Sequence, residues 1–136
     1  MQKISRALVG ATFVALVALS GLTACSTGSA AVIDVSAAQA VAVLQDEKPT
    51  VIDVRTAGEY AAGHLPGAIN IDVEAPGFAD SVSQLPKDES YFVYCRSGNR
   101  SGVATEQMVQ LGFTDLYDLQ GGITDWQATG GSVVTS

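Results

Sequence analysis

The chain has 136 residues, room for one domain and too few for two. Apolar residues make up 47% of it and charged residues only 15%, a balance that speaks against intrinsic disorder. Fourteen acidic residues outnumber seven basic ones and no basic cluster occurs, which argues against nucleic-acid binding and against electrostatic docking on anionic lipid.

The first element in chain order is a targeting segment. Lys3 and Arg6 form a positive start, and Ala7 to Gly21 form an apolar stretch. That stretch is shorter than the ~20 residues a membrane-spanning helix needs, so residues 1–24 read as a secretory signal. The segment ends in Leu22-Thr23-Ala24-Cys25, which resembles the lipobox of bacterial lipoproteins. The resemblance implies that Cys25 carries lipid, starts the mature chain and anchors it outside the cytoplasm. Residues 25–31 are then a lipidated N-terminus and tether, 32–131 the folded domain and 132–136 a short C-terminal tail. Without Lys3 and Arg6 the mature part has five basic and fourteen acidic residues, 5 − 14 = −9. If Cys25 is lipidated, Cys95 is the only free thiol, in a compartment that favours disulfides. A cysteine in that position has to be buried or used.

Val32-Ile33-Asp34-Val35 reads as a short strand. Ser36 and Gln39 form a capping box, and Ala37, Ala40, Val41 and Leu44 recur at helical spacing, which predicts a helix over 36–46. Val51 to Val54 is a second strand. Thr56 and Glu59 repeat the capping box before a short helix that stops at Gly63. Leu65-Pro66-Gly67 is a turn, Ala68 to Val73 reads as a further strand, and Pro76 to Pro86 is looser and helical only in part. Tyr91-Phe92-Val93-Tyr94 has the aromatic and β-branched character of a buried central strand. A helix follows from Ser101 to Leu111 with Gly112 as its cap, then a strand from Asp115 to Leu119, then a final short helix opened by Gly121-Gly122 around Trp126. Apolar strands alternating with helices predict an α/β fold with a mainly parallel central sheet flanked by helices on both faces.

The central strand delivers the chain to Cys95-Arg96-Ser97-Gly98-Asn99-Arg100-Ser101, between a strand end and a helix start. Ligands in open α/β sheets bind just past the carboxyl ends of the strands. A loop of small residues there can turn its backbone N–H groups inward around an anion. The helix dipole and the charges of Arg96 and Arg100 act in the same sense, favouring thiolate over thiol at Cys95.

Four segments in order carry a family resemblance: Asp53-Val54-Arg55 with Glu59-Tyr60; Gly63-His64-Leu65-Pro66-Gly67-Ala68-Ile69-Asn70; the Cys95 loop; and Leu119-Gln120-Gly121-Gly122-Ile123-Thr124-Asp125-Trp126. Together they resemble the rhodanese-like domains, over about residues 33–130. The resemblance implies a three-layer fold and sulfur transfer through a persulfide on Cys95, with Arg96 to Ser101 as the substrate-binding loop. It implies a small anionic donor such as thiosulfate, an acceptor such as cyanide or a thiol, and no cofactor. Related phosphatases and arsenate reductases place an arginine six positions after the cysteine. Arg100 lies five positions after Cys95, a tighter loop suited to one sulfur atom. Two alternatives stand beside the sulfurtransferase: a persulfide carrier or interaction module without turnover, and, more remotely, a phosphatase or arsenate reductase.

Other residues read as scaffold. His64, the only histidine, sits in a Gly-His-Leu-Pro-Gly turn with its ring expected on backbone. Asp53 and Arg55 are expected to form a structural charge network with Glu59 near the sheet edge. Trp126 is a core or lid residue. One histidine and one free thiol do not make a zinc set, so no metal is expected.

Overall fold

A computed structural model describes residues 31–136, and the signal segment, Cys25 and the tether up to residue 30 lie outside the described residues. Five strands, β1 (Ala31–Val35), β2 (Thr50–Asp53), β3 (Ile69–Asn70), β4 (Ser90–Tyr94) and β5 (Asp115–Leu119), form one sheet of order β1-β5-β4-β2-β3. Every pairing is parallel, so all carboxyl ends share one edge. Helices α1 (Ala37–Asp46), α2 (Ala57–Ala62), α3 (Phe78–Ser83), α4 (Asn99–Gln110) and α5 (Gly122–Ala128) connect and cover it.

Both capping boxes form. Gln39 N–H donates to Ser36 Oγ while Ser36 N–H donates to Gln39 Oε1, and Thr56 and Glu59 do the same at the start of α2. Each reciprocal pair satisfies two of the N–H groups that a helix start leaves without a partner. Between β2 and β5, the central β4 buries Tyr91, Phe92, Val93 and Tyr94 completely or nearly so. Their alternation divides two cores. Phe92 and Tyr94 pack with Ala40, Leu119, Ile123 and Trp126, whereas Tyr91 and Val93 pack with Phe78, Val82, Ala104 and Met108. Cys95 continues that alternation and falls on the second side, beneath α4.

Two element boundaries and one charge network differ from expectation. The third strand is two residues long rather than six, because Asp72 turns the chain: its carboxylate accepts from Glu74 N–H at 2.9 Å and its carbonyl from Ala75 N–H. Helix α4 starts at Asn99, two residues before Ser101, because Gly98 takes a left-handed conformation (φ 102°) and bends the loop straight into the helix. The charge network divides in two: Asp53 pairs with Arg55, while Glu59 pairs with Arg100. Asp53 and Arg55 are buried at the carboxyl end of β2, one strand in from the sheet edge.

Helix α5 is fastened to the loop after β4. Ile123 N–H donates to Cys95 O at 2.9 Å, and both the N–H and the hydroxyl of Thr124 donate to Arg96 O. The approach is so close that a Cβ on Gly122 would lie 2.5 Å from Cys95 O and from Arg96 O, at a φ of +60°. His64 is held by backbone as well, its Nδ1 2.9 Å from Tyr60 O, its ring stacked on Tyr60, and its main chain paired with Val134. Trp126 is a core residue whose Nε1–H donates to Ser132 O, so residues beyond 131 are tied back onto the domain. Replacing Gly122 by alanine is expected to destabilise the fold by at least ~2 kcal/mol, because a left-handed backbone and a backbone clash add together. A urea denaturation midpoint equal to the parent's would contradict this close packing.

Candidate active site

Cys95 is the first residue past β4, only 1% exposed, and the chain from Arg96 to Ser101 wraps over its sulfur. Gly98 N–H donates to Sγ at 3.0 Å, and Ser101 Oγ lies 3.6 Å from it. Burial opposes ionisation here. It is outweighed by the Ser101 hydroxyl and by the N–H groups of Ser101, Gly98 and Ser97, so the thiol ionises more readily than an ordinary cysteine. Because α4 begins at Asn99, the last three loop residues are its first turn, and the positive end of the helix sits on the sulfur.

A carbonyl bond explains one of the inward amides. Cys95 O and Arg96 O are bonded to α5, and because an N–H points opposite to the carbonyl of its own planar peptide, the bond at Arg96 O leaves Ser97 N–H turned to the sulfur. Close glycine contact holds this arrangement: a Cβ on Gly98 would stand 3.3 Å from Gly121 N. The Gly121-Gly122 pair was legible as a helix start, but its contact with the Cys95 loop depends on the β4–β5 pairing.

The two arginines of the loop have different surroundings. Arg96 is exposed and makes no ion pair among the described residues. Arg100 donates two 2.8 Å hydrogen bonds to Glu59 and a longer one to Glu74. Arg100, chiefly by its hydrogen bonds, holds the Glu59 carboxyl down at about 2. Most of the Arg100 charge is thus committed to carboxylates, and the Ser101 hydroxyl with the loop N–H groups is the main support of the sulfur anion. Glu59 escaped detection as a loop-bracing residue because its spacing from Thr56 was fully explained by helix capping. Asn99 is exposed at the head of α4, and Ser97 is exposed on the outer side of the loop. Beside them a cleft of about 290 Å³ opens between Val73 and Glu74 on one side and Asn99, Arg100 and Val103 on the other. A larger groove lined by Leu44, Pro49 and Trp126 contains no residue of the Cys95 loop.

A second buried network fixes the neighbouring strand end. The Asp53 carboxylate accepts from Arg55 Nε and Nη2, and from the Tyr94 hydroxyl at 2.6 Å. Tyr94 Oη in turn accepts from Leu65 N–H. Burial and the bond to Asp53 push the Tyr94 phenol well above its ordinary range, so it stays protonated and serves as a strut. Arg55 Nη2 also reaches Gly63 O at 2.7 Å, joining the His64 turn to the same network. Arg55 is therefore spent on scaffold contacts. The described residues contain no cluster of histidine, cysteine and carboxylate side chains able to hold a metal ion.

The rhodanese-like domain model matches residues 36–129. The thiosulfate sulfurtransferase GlpE of Pseudomonas putida is 36% identical over 91 residues, which cover 67% of this chain and 81% of that protein. An adenylyltransferase and sulfurtransferase of Ogataea parapolymorpha is 36% identical over 78 residues, 57% of this chain but only 20% of that much longer protein. Among solved structures, the crystal structure of a rhodanese-related protein from Thermoplasma volcanium superposes with a TM-score of 0.68 at 33% identity, covering 76% of this chain and 99% of the other. With the family pattern spanning the domain, a matching parallel sheet, and a cysteine loop at the carboxyl end of the central strand, the chain belongs to the rhodanese-like domain family.

Proposed function

We propose that the protein is a sulfurtransferase that carries sulfane sulfur as a persulfide on Cys95. The observation that carries the reading is the ring of N–H groups around a buried, readily ionised sulfur, with Gly98 N–H at 3.0 Å. The Cys95 thiolate attacks the outer sulfur of a donor such as thiosulfate. The new S–S bond forms as the bond to the sulfonate breaks, and sulfite leaves with the electron pair. An acceptor then attacks the outer sulfur of the persulfide. Cyanide becomes thiocyanate, or a thiolate becomes a persulfide, and the S–S electron pair returns to Cys95 as thiolate. Each form of the enzyme is anionic at the same place, so one set of dipoles serves the whole double displacement. Both attacks are by anions, which removes the need for a general base and agrees with the scaffold contacts of His64. Arg96, exposed and unpaired at the loop, is the residue available to draw in an anionic donor. The relatives named as sulfurtransferases support the reaction class.

The full-length chain with Cys25→Ser, which leaves Cys95 as the only thiol, is expected to gain the mass of one sulfur atom from thiosulfate and lose it to cyanide with repeated release of thiocyanate. A further Cys95→Ser change is expected to abolish both steps, and aryl phosphate and arsenate are expected to be inert. Sulfur uptake without turnover would favour a carrier, and no uptake from thiosulfate or persulfide donors would sink the reading.

The same proposal places the domain outside the cytoplasm, held to a membrane by lipid on Cys25. The apolar run ending in Leu22-Thr23-Ala24-Cys25 is its support. Expressed in a bacterium fed labelled palmitate, the parent is expected to take up label and the Cys25→Ser variant to take up none. Equal labelling of the two would refute the anchor.

A further inference from the structure

The buried ionisable side chains Asp53, Arg55 and His64 all have close partners, whereas Asp118 does not. Asp118 is 3% exposed, its Oδ1 has no hydrogen-bond partner among the described residues, and its Oδ2 accepts only a 3.5 Å contact from Gln120. An unsatisfied buried carboxyl is costly, and its position calls for a physical reason.

That position is beside the sulfur. Asp118 on β5 is in register with Val93 on β4, two residues before Cys95, so Asp118 and Cys95 project from the same face of the sheet toward α4. Gly102 makes room for it: a Cβ there would stand 3.7 Å from Asp118 Oδ2. The preceding residue, Ser101, is fully buried, with its Oγ 3.6 Å from Cys95 Sγ and 3.1 Å from Gly98 O. The Ser101 hydroxyl is donated to Gly98 O and makes no hydrogen bond to Asp118, yet Asp118 Oδ2 lies against the next residue of α4, Gly102, on the face of the sheet that carries Cys95. The carboxyl is near enough to Ser101 for the hydroxyl to favour its charged form, so the hydroxyl can turn to Gly98 O, to the sulfur or to Asp118.

We propose that Asp118 is a positioning residue that competes with Cys95 Sγ for the hydroxyl proton of Ser101. This rests on the reading of Cys95 as the sulfur carrier and goes one residue deeper into its control. An ionised Asp118 draws the Ser101 hydroxyl toward itself, and the sulfur anion loses a donor. A protonated Asp118 instead donates to Ser101 Oγ, and the hydroxyl turns onto Sγ. No proton changes owner between Ser101 and the sulfur, since only the direction of the bond changes. Burial holds the Asp118 carboxyl above its ordinary range, Ser101 opposes the shift, and repulsion from Asp34 adds to it. The charged groups around Asp118 are few. Asp34 lies in register on β1 and is exposed, Cys95 lies at the end of β4, and Arg100 at the head of α4 is turned to Glu59 and Glu74. Thr105 of α4 brings only a hydroxyl, which is donated to Gly102 O. The sulfur anion is consequently held tightest while Asp118 is neutral, and an ionised Asp118 raises the pKa of Cys95.

The test is the pH profile of Cys95 alkylation by iodoacetamide in the full-length Cys25→Ser chain, which needs only a thiolate and no sulfur transfer. Asp118→Asn mimics the protonated form, because its amide can donate to Ser101 Oγ. It is expected to lower the Cys95 pKa by roughly half to one unit and so raise alkylation below that pKa about three- to tenfold. In a Ser101→Ala background the same change is expected to have little effect. An Asp118→Asn profile equal to the parent's, or a shift undiminished without the Ser101 hydroxyl, would overturn the proposal. Should Asp118→Asn fail to fold, the carboxyl carbon resonance of Asp118 in the parent serves instead. It is expected to move again as Cys95 ionises, and a single step indifferent to Cys95 would overturn the coupling. Sulfur uptake by mass is read separately, so a coupled profile in a protein that accepts no sulfur would refute the sulfurtransferase while leaving the role of Asp118 intact.

Discussion

A sulfur anion at the end of β4 has no bulk water to solvate it, since Cys95 is 1% exposed. Its charge must be balanced by dipoles already in place, and much of the structure around it serves to hold them there. The N–H groups of Ser97, Gly98 and Ser101 and the Ser101 hydroxyl favour the sulfur anion: the bond from α5 to Arg96 O sets Ser97, the left-handed Gly98 bends the loop, and Ser101 lies in the first turn of α4. That arrangement needs α5 nearly in contact with the loop, and the contact needs the absent side chain of Gly122. Fixed dipoles in a dry site need no reorganisation as charge moves, which is what the proposed sulfur carrier, anionic through its cycle, requires.

The charged side chains around the loop act mainly on shape. Arg100 is clamped by Glu59 and Glu74, and this ties the head of α4 to α2 and to the segment after β3. Arg55 is bonded to Asp53 and Gly63, and through Asp53 and Tyr94 it ties the end of β2 to the end of β4 and to the His64 turn. The loop is therefore braced from two sides by ion pairs. Of its two arginines only Arg100 is ion-paired among the described residues, and Arg96 is exposed.

Much of this was legible in residue order. Both capping boxes, the apolar run of β4 and the small-residue loop follow from local rules that tertiary contacts reinforce here. The expectation failed where a local signal had two outcomes. Ala68 to Val73 has strand-like residues and keeps backbone bonds from Ile71 and Val73 to Asp53 and Val54, but Asp72 turns its carboxylate and carbonyl onto Glu74 and Ala75, and the regular ladder is limited to Ile69 and Asn70. The start of α4 is hidden in residue order because no capping side chain precedes Asn99, and Gly98 supplies the turn by its left-handed conformation.

The class of the fold, the position of Cys95 between a buried strand and a helix, and the five-residue spacing to Arg100 follow from periodicity and chain order alone. Long-range packing sets the rest: Glu59 pairs with Arg100, Gly122 touches the carbonyls of the loop, and Asp118 Oδ1 is left without a partner among the described residues. The physical reason is register. A parallel sheet of order β1-β5-β4-β2-β3 brings together residues far apart in the chain, and only the pairing of β4 with β5 sets which of them meet at the sulfur.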